Sequence, residues 1–420
     1  MAWSMMNFKG WTKTIFILCT FIQAGCQQDS PPEPLIKKKA VFVYMVADNN
    51  LDYYAIHNIN EMESGIPENF DGEVYVYIDR AKGKKPAHPY LLKIKKDDTP
   101  EVISTILNVY PEQNSCDAQV FKQALSDVER YCAETHYVAG IVLWSHGSAW
   151  LPENADIISD RDNPTQQTNA IHSPRFRSFG LDQDDYTDGA ENPVSVRREM
   201  DIIKLAKELR HKHFDFLIFD ACFMASIEVL YEFHSICNYI IASPAEILST
   251  GFPYRELMPL LIQKEFNPQA IVEKYADFYQ NKAGIQQSGA VVAVDTKQLQ
   301  ELARLFKQAL KTTAPLVNTT QLLQYDRASS EWLFDFLMFA QTSMPQTNFL
   351  PIKNQFNKTV LSYRHTNTIL SVINLSNSCG VSMYIPHKNP NNKNTNIYDY
   401  YKKLQWSIQS GLADWNMDNQ

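Results

Sequence analysis

Two residues with the chemistry of acyl transfer stand at the tips of two apolar runs. Residues 139–150 read AGIVLWSHGSAW and end on His146 followed by Gly147. Residues 214–227 read FDFLIFDACFMASI and present Asp220, Ala221 and Cys222. Taken singly, Cys222 reads as a buried core thiol and His146 as a capping or core histidine. Together, at two strand tips, they predict a thiol nucleophile and its general base. His146 would take the thiol proton and later protonate a leaving amine. The backbone N–H groups of Gly147 and Cys222 would face a developing oxyanion, and Gly147 would let substrate backbone come close. A cysteine directly between a strand and a helix also meets the positive end of the helix dipole, which predicts a lowered thiol pKa.

Such residues need a scaffold that brings strand ends together. Unbroken runs rich in Ile, Val, Leu and Phe are those of strands buried on both faces of a parallel sheet. In such sheets reactive groups collect at the carboxyl ends of strands. Further strands are expected at 40–47, 73–78, 239–243 and 289–294, with a short edge strand at 90–94. Asn50 is placed as the cap of a helix whose buried stripe is Leu51, Ala55, Ile59 and Met62. A second helix, about 116–133, carries the stripe Phe121, Leu125, Val128 and Cys132. Helical patterns follow at 200–209, 223–233, 268–281, 296–312, 328–341 and 397–410, and 367–375 with 380–385 read as a closing pair of strands. This alternation implies an α/β three-layer sandwich with a mostly parallel central sheet and a C-terminal extension of helices and strands.

The chain has 420 residues, 45% of them hydrophobic and 20% charged, with a net charge of −8. No basic block stands out, so nucleic acid is not an expected partner. Lys9 and Lys13 precede a short apolar run from Thr14 to Phe21, and Ala24-Gly25-Cys26 follows, the pattern of an export signal. Residues 1–26 are thus expected to be a signal, and Pro-rich 27–38 a tether. A main domain is placed at 39–285, with a long polar insertion at 150–198, and 286–420 is expected to complete or pack on the sheet. Cys116 and Cys132, both placed on the second helix, would lie on the order of 24 Å apart, too far for a disulfide. No disulfide framework or zinc spacing is present, and His211 with His213 reads as a surface turn.

The segments YMVADNNLD (44–52), WSHG (144–147), SFGLD (178–182), FDACFMASIEVLYE (219–232), SPAEILSTGFPY (243–254) and CGVSMYIP (379–386) resemble the clostripain family of cysteine peptidases. The resemblance runs from about residue 39 to 415 and implies the caspase-like fold. It implies a His146/Cys222 dyad, and Asp220 in the pocket for an Arg or Lys before the scissile bond. A partly buried carboxylate there would pair with a cationic side chain; the competing role for Asp220 is a helix cap. The Ala-Gly-Cys ending resembles a bacterial lipobox, which implies lipid on Cys26 and a membrane-anchored protein of the cell envelope. Family members are often cut between His and Cys, which makes Arg161, Arg175 and Arg177 candidate self-cleavage sites.

Some members depend on calcium, which makes calcium an optional cofactor. The stretch Asp182, Asp184, Asp185 and Asp188 does not follow the calcium-loop template, because position 12 is Ser195 rather than Glu. It reads as a solvated loop. The expected partners are protein or peptide substrates with basic residues, met by a monomer. The alternative is a catalytically silent surface lipoprotein that binds peptide or glycan. An esterase of the α/β-hydrolase type would need a Gly-x-Ser-x-Gly elbow, which the chain lacks.

Overall fold

The computed structural model describes residues 37–152, 179–182, 198–313, 319–326, 332–386 and 395–415. The chain runs β1 (Lys38–Ala47), α1 (Asp52–Gly65), β2 (Gly72–Arg80), β3 (Tyr90–Lys93), β4 (Thr105–Val109), α2 (Ala118–Cys132) and β5 (His136–Trp144). A short pair, β6 (Phe179–Asp182) and β7 (Arg198–Met200), precedes α3 (Ile202–Leu209) and β8 (Phe214–Asp220). Then come α4 (Ile227–Glu232), β9 (Cys237–Ala242), α5 (Tyr254–Leu261), α6 (Pro268–Gln280), β10 (Ala290–Asp295) and α7 (Leu299–Leu310). The remaining elements are β11 (Phe334–Asp335), α8 (Phe336–Ser343), α9 (Gln346–Thr359), β12 (Val360–His365), β13 (Thr368–Ile369), β14 (Ile373–Asn374), β15 (Ser382–Met383), α10 (Thr395–Tyr401) and α11 (Gln405–Ser410).

Nine strands form one sheet in the order β12-β10-β9-β8-β5-β1-β2-β3-β4. The five central strands, β9 to β2, are parallel, and the outer ones pair antiparallel. Strand β1 explains why its run is apolar throughout. Phe42, Tyr44 and Val46 enter one core, beneath α2, α3, α4 and α7. Val41, Val43 and Met45 enter the other, with α1, α5 and α6. A strand covered on both faces has no polar side to show. The three-layer α/β architecture is therefore the one the sequence pattern implies.

Several expectations needed correction. Residues 90–93 do not form the edge; β4 lies outside them, and its half-exposed residues give no apolar signature. The sheet is closed at the other side by β12, not by 367–375 and 380–385. Those residues supply a hairpin of two two-residue strands, a bridge to β11 and a bridge from Ser382 to Ser226. Helix α9, with Pro351 inside it, was not anticipated, and the last helix is split at residues 402–404. Cys116 lies outside α2, because Asp117 caps that helix by accepting from the N–H of Gln119. All five cysteines among the described residues are free thiols.

Candidate active site

The site begins with strand register. In the parallel pair β5 and β8, the final residues Trp144 and Asp220 are direct partners. His146 and Cys222, each two residues further on, therefore leave the sheet from neighbouring positions at one end. Gly147 seals the approach. A Cβ on it would come within 2.6 Å of the Cys222 carbonyl oxygen and 2.9 Å of the Ala221 Cβ. Only glycine allows the histidine loop to lie directly on the cysteine loop.

Both loops are pinned. The carbonyl of His146 accepts from the N–H of Gly180 in β6 at 2.9 Å, and the Ser145 hydroxyl donates to the Val46 carbonyl at 2.7 Å. Beyond Cys222, the N–H of Phe223 donates to Ala245 O at 3.0 Å and that of Ala225 to Ser243 O at 2.9 Å. Ala149 and Phe223 hold left-handed backbone conformations, with φ of 61° and 66°. Such conformations cost energy for side chains with a Cβ and persist where the surroundings impose them, often at active sites. Among the described residues, neither the N–H of Gly147 nor that of Cys222 donates to a backbone carbonyl.

Two expectations about Cys222 are overturned. The helix after it begins only at Ile227, with Ser226 as cap, and has six residues. A turn at 222–225 separates the thiol from that helix, so the dipole does not act on it at close range. The thiol pKa is accordingly not lowered. Enclosure by protein atoms pushes it up to about 12, and the charges of Glu246 and Asp220 add to this. The N–H of Ile247 points at the sulfur from 3.3 Å and acts in the opposite direction. At rest Cys222 is a neutral thiol, which would need a base to become reactive.

Asp220 is 4% exposed. Its Oδ2 accepts from the Phe252 N–H at 3.1 Å and from the Tyr254 hydroxyl at 2.8 Å. Burial nonetheless pushes its pKa up to about 7, with Glu61 adding to the effect. A helix cap it is not, since Ser226 takes that role. The loop above the carboxylate is shaped by Gly251, whose φ is 67° and whose Cβ would lie 2.7 Å from Oδ2. That loop is tied down by Tyr279, which donates to Gly251 O at 2.7 Å, and by Asn58, which donates to Thr250 O at 3.1 Å.

This strand-end pairing of His-Gly with Asp-Ala-Cys coincides with the outcome of comparison with known proteins. The sequence profile of the clostripain family (Peptidase_C11) matches residues 43–172 and 194–417. The chain belongs to the clostripain family. It is a cysteine peptidase by that membership, and protein or peptide is its substrate class.

Two solved clostripain-family structures illustrate the fold. One is described as a secreted C11 cysteine protease from Bacteroides thetaiotaomicron in complex with an irreversible peptide inhibitor. It is 25% identical, with a TM-score of 0.70 over 90% of this chain and 100% of that one. The other is an inactive zymogen C11 protease from Parabacteroides distasonis, 24% identical, with a TM-score of 0.70 over 90% and 99% of the two chains. No curated protein matches the sequence.

The unmatched residues between the two parts of the clostripain-family profile, 173–193, fall inside the polar insertion. Arg161, Arg175 and Arg177 of the 150–198 insertion lie outside the described residues, as do Asp184, Asp185 and Asp188 of the same insertion and Cys26 of the N-terminal segment. Asp182 is described and corrects the solvated-loop expectation at its own position. It is fully buried in β6, and its Oδ2 accepts from the Ser115 N–H at 2.7 Å. Among the described residues no group of three or more His, Cys, Asp or Glu could hold a metal ion. No helix among the described residues is long and apolar enough to cross a membrane. Sequence reasoning missed the donors to Asp220: Phe252 and Tyr254 stand more than thirty positions downstream, and only folding brings them to it.

Proposed function

We propose that the protein is an exported, lipid-anchored endopeptidase that cuts after Arg or Lys, with Cys222 as nucleophile and His146 as acid and base. The observation that carries this reading is the contact of Gly147 with Ala221 and Cys222 at the ends of two paired parallel strands. His146 removes the thiol proton, and the sulfur attacks the scissile carbonyl carbon. The N–H groups of Gly147 and Cys222 receive the oxyanion. His146 then gives its proton to the leaving amine, and water hydrolyses the resulting thioester.

The buried carboxyl of Asp220, two residues before the nucleophile, supports a preference for cationic side chains, because a bound cation would favour its ionised form. Export is supported by the basic, apolar and small-residue segments that end at Cys26, and by a 25% identical relative described as secreted. Lipid on Cys26 would hold the enzyme at a membrane of the cell envelope. Arg161, Arg175 and Arg177 are then available for self-cleavage within the insertion.

The test uses purified mature protein with Arg-, Lys- and Leu-ending fluorogenic peptides, with and without calcium, beside Cys222→Ala and His146→Ala. Wild type should prefer the basic peptides, and both variants should lose at least about 10²–10⁴-fold. Full activity in Cys222→Ala would sink the dyad. A folded wild type that cleaves none of the peptides would instead favour a silent binding lipoprotein.

A further inference from the structure

Strands β1, β5 and β8 are neighbours in the sheet, and the loops at their carboxyl ends carry Asn50, His146 and Cys222 in that order. The loop after β1 is held from within by Asn49. Its Oδ1 accepts from the Leu51 N–H at 2.8 Å, and its Nδ2 donates to Val46 O at 3.0 Å and Leu181 O at 2.7 Å. Asn50 is left exposed and does not cap α1, contrary to the sequence expectation; that helix has no side-chain cap. Its Oδ1 lies instead 2.8 Å from Nε2 of His146.

We infer that Asn50 is a positioning residue for catalysis: it fixes the His146 ring and keeps a proton on Nε2, leaving Nδ1 to exchange the thiol proton. The inference rests on the Cys222/His146 reading above. An amide oxygen can only accept, so the nitrogen facing it must donate. Neutral imidazole has one N–H, and placing it on Nε2 leaves the lone pair on Nδ1. When the thiol proton arrives at Nδ1, the ring becomes a cation and its bond from Nε2–H to Oδ1 becomes charge-assisted and stronger. That gain appears only as charge develops, so it acts on kcat rather than on KM. The His146 backbone is already fixed through Gly180, and the Asn50 contact acts on the ring itself. An exposed side chain that caps nothing contributes little to folding, so its loss should leave the fold intact.

The test compares Asn50→Ala and Asn50→Asp with wild type and Cys222→Ala, all as full chains. Two readouts are taken: kcat and KM on Arg-ending peptides, and the rate of Cys222 alkylation by iodoacetamide, followed by mass spectrometry. Asn50→Ala should lower kcat by about 10- to 100-fold, the range for losing an orienting partner of a functional histidine, with KM little changed and alkylation slowed. Asn50→Asp keeps an acceptor facing Nε2 and should recover most of both rates. An Asn50→Ala protein with wild-type kcat and alkylation overturns the inference while inactive Cys222→Ala keeps the dyad. Equal losses in Ala and Asp variants accompanied by a raised KM would assign Asn50 a structural role and also overturn it. Activity in Cys222→Ala would remove the dyad and the inference with it.

Discussion

Asp220→Asn should make the protein more stable at neutral pH while making it a poorer enzyme for basic substrates. The folded state holds the Asp220 carboxyl at about 7, against 3.8 for the unperturbed group, because burial disfavours its charge. Below about pH 4 both folded and unfolded chains carry the proton, and the carboxyl costs nothing. As pH rises from about 4 to about 7, the unfolded chain ionises while the folded one still holds its proton, so stability falls across that window and levels off above it.

The gap of roughly three pH units corresponds to about 4 kcal/mol, at about 1.36 kcal/mol per unit. Asparagine removes the titration. Both donors, Phe252 N–H and Tyr254 O–H, go to one oxygen, Oδ2, so a single amide oxygen can accept from both. Allowing for imperfect replacement, Asp220→Asn should gain about 2–4 kcal/mol at pH 8 and under about 1 kcal/mol at pH 4.5. Urea denaturation at both pH values, in a Cys222→Ala background to prevent self-cleavage, measures the difference. The same substitution in active enzyme should lower turnover of Arg- and Lys-ending peptides by roughly 10- to 150-fold, since hydrogen bonds to charged groups contribute about 1.5–3 kcal/mol. Leu-ending peptides should be affected much less. A variant that is destabilised at pH 8, or whose stability difference is the same at both pH values, would refute the burial argument. An unchanged Arg-to-Leu ratio would remove Asp220 from the specificity pocket.

Gly147→Ala should reduce kcat/KM by about 10²-fold, the order expected when reacting groups are displaced by about 1 Å, because its Cβ would strike the Cys222 carbonyl 2.6 Å away; activity within twofold of wild type would show that the loops can separate freely. In a His146→Ala protein, alkylation of Cys222 by iodoacetamide should still be accelerating at pH 10, since burial pushes the thiol up to about 12; a plateau below pH 9 would mean that burial does not govern its ionisation. Wild-type precursor expressed in bacteria should partition into detergent and Cys26→Ala should not, whereas partitioning of both into water would leave simple secretion.

The sheet was legible where a strand's own residues reveal its burial. β1, β5 and β8 are covered on both faces, so their sequences are apolar without interruption and announce both the strands and their tips. The helix α2 was equally legible, because one face is buried and the stripe Phe121, Leu125, Val128 and Cys132 repeats at helical spacing. Edge elements carry no such mark. β4 is half-exposed, and β12 is only partly buried along most of its length, so neither stands out from loop sequence.

At the candidate site, residue types and order put forward His146, Gly147, Asp220 and Cys222, and the structure places His146 and Cys222 just beyond the ends of two paired strands and Asp220 at the end of one. Their electrostatics were not contained in that order. The thiol was expected to gain acidity from a following helix, yet that helix starts five residues later and burial dominates. Asn50 looked like a helix cap from its neighbours in sequence, but its partner is His146, 96 positions away. Local sequence thus determined which central strands form and which candidate residues ride on them, because burial on both faces is written into each of those segments. Which side chain faces which, and how far each pKa moves, depends on desolvation and on partners that only the closed sheet brings within reach.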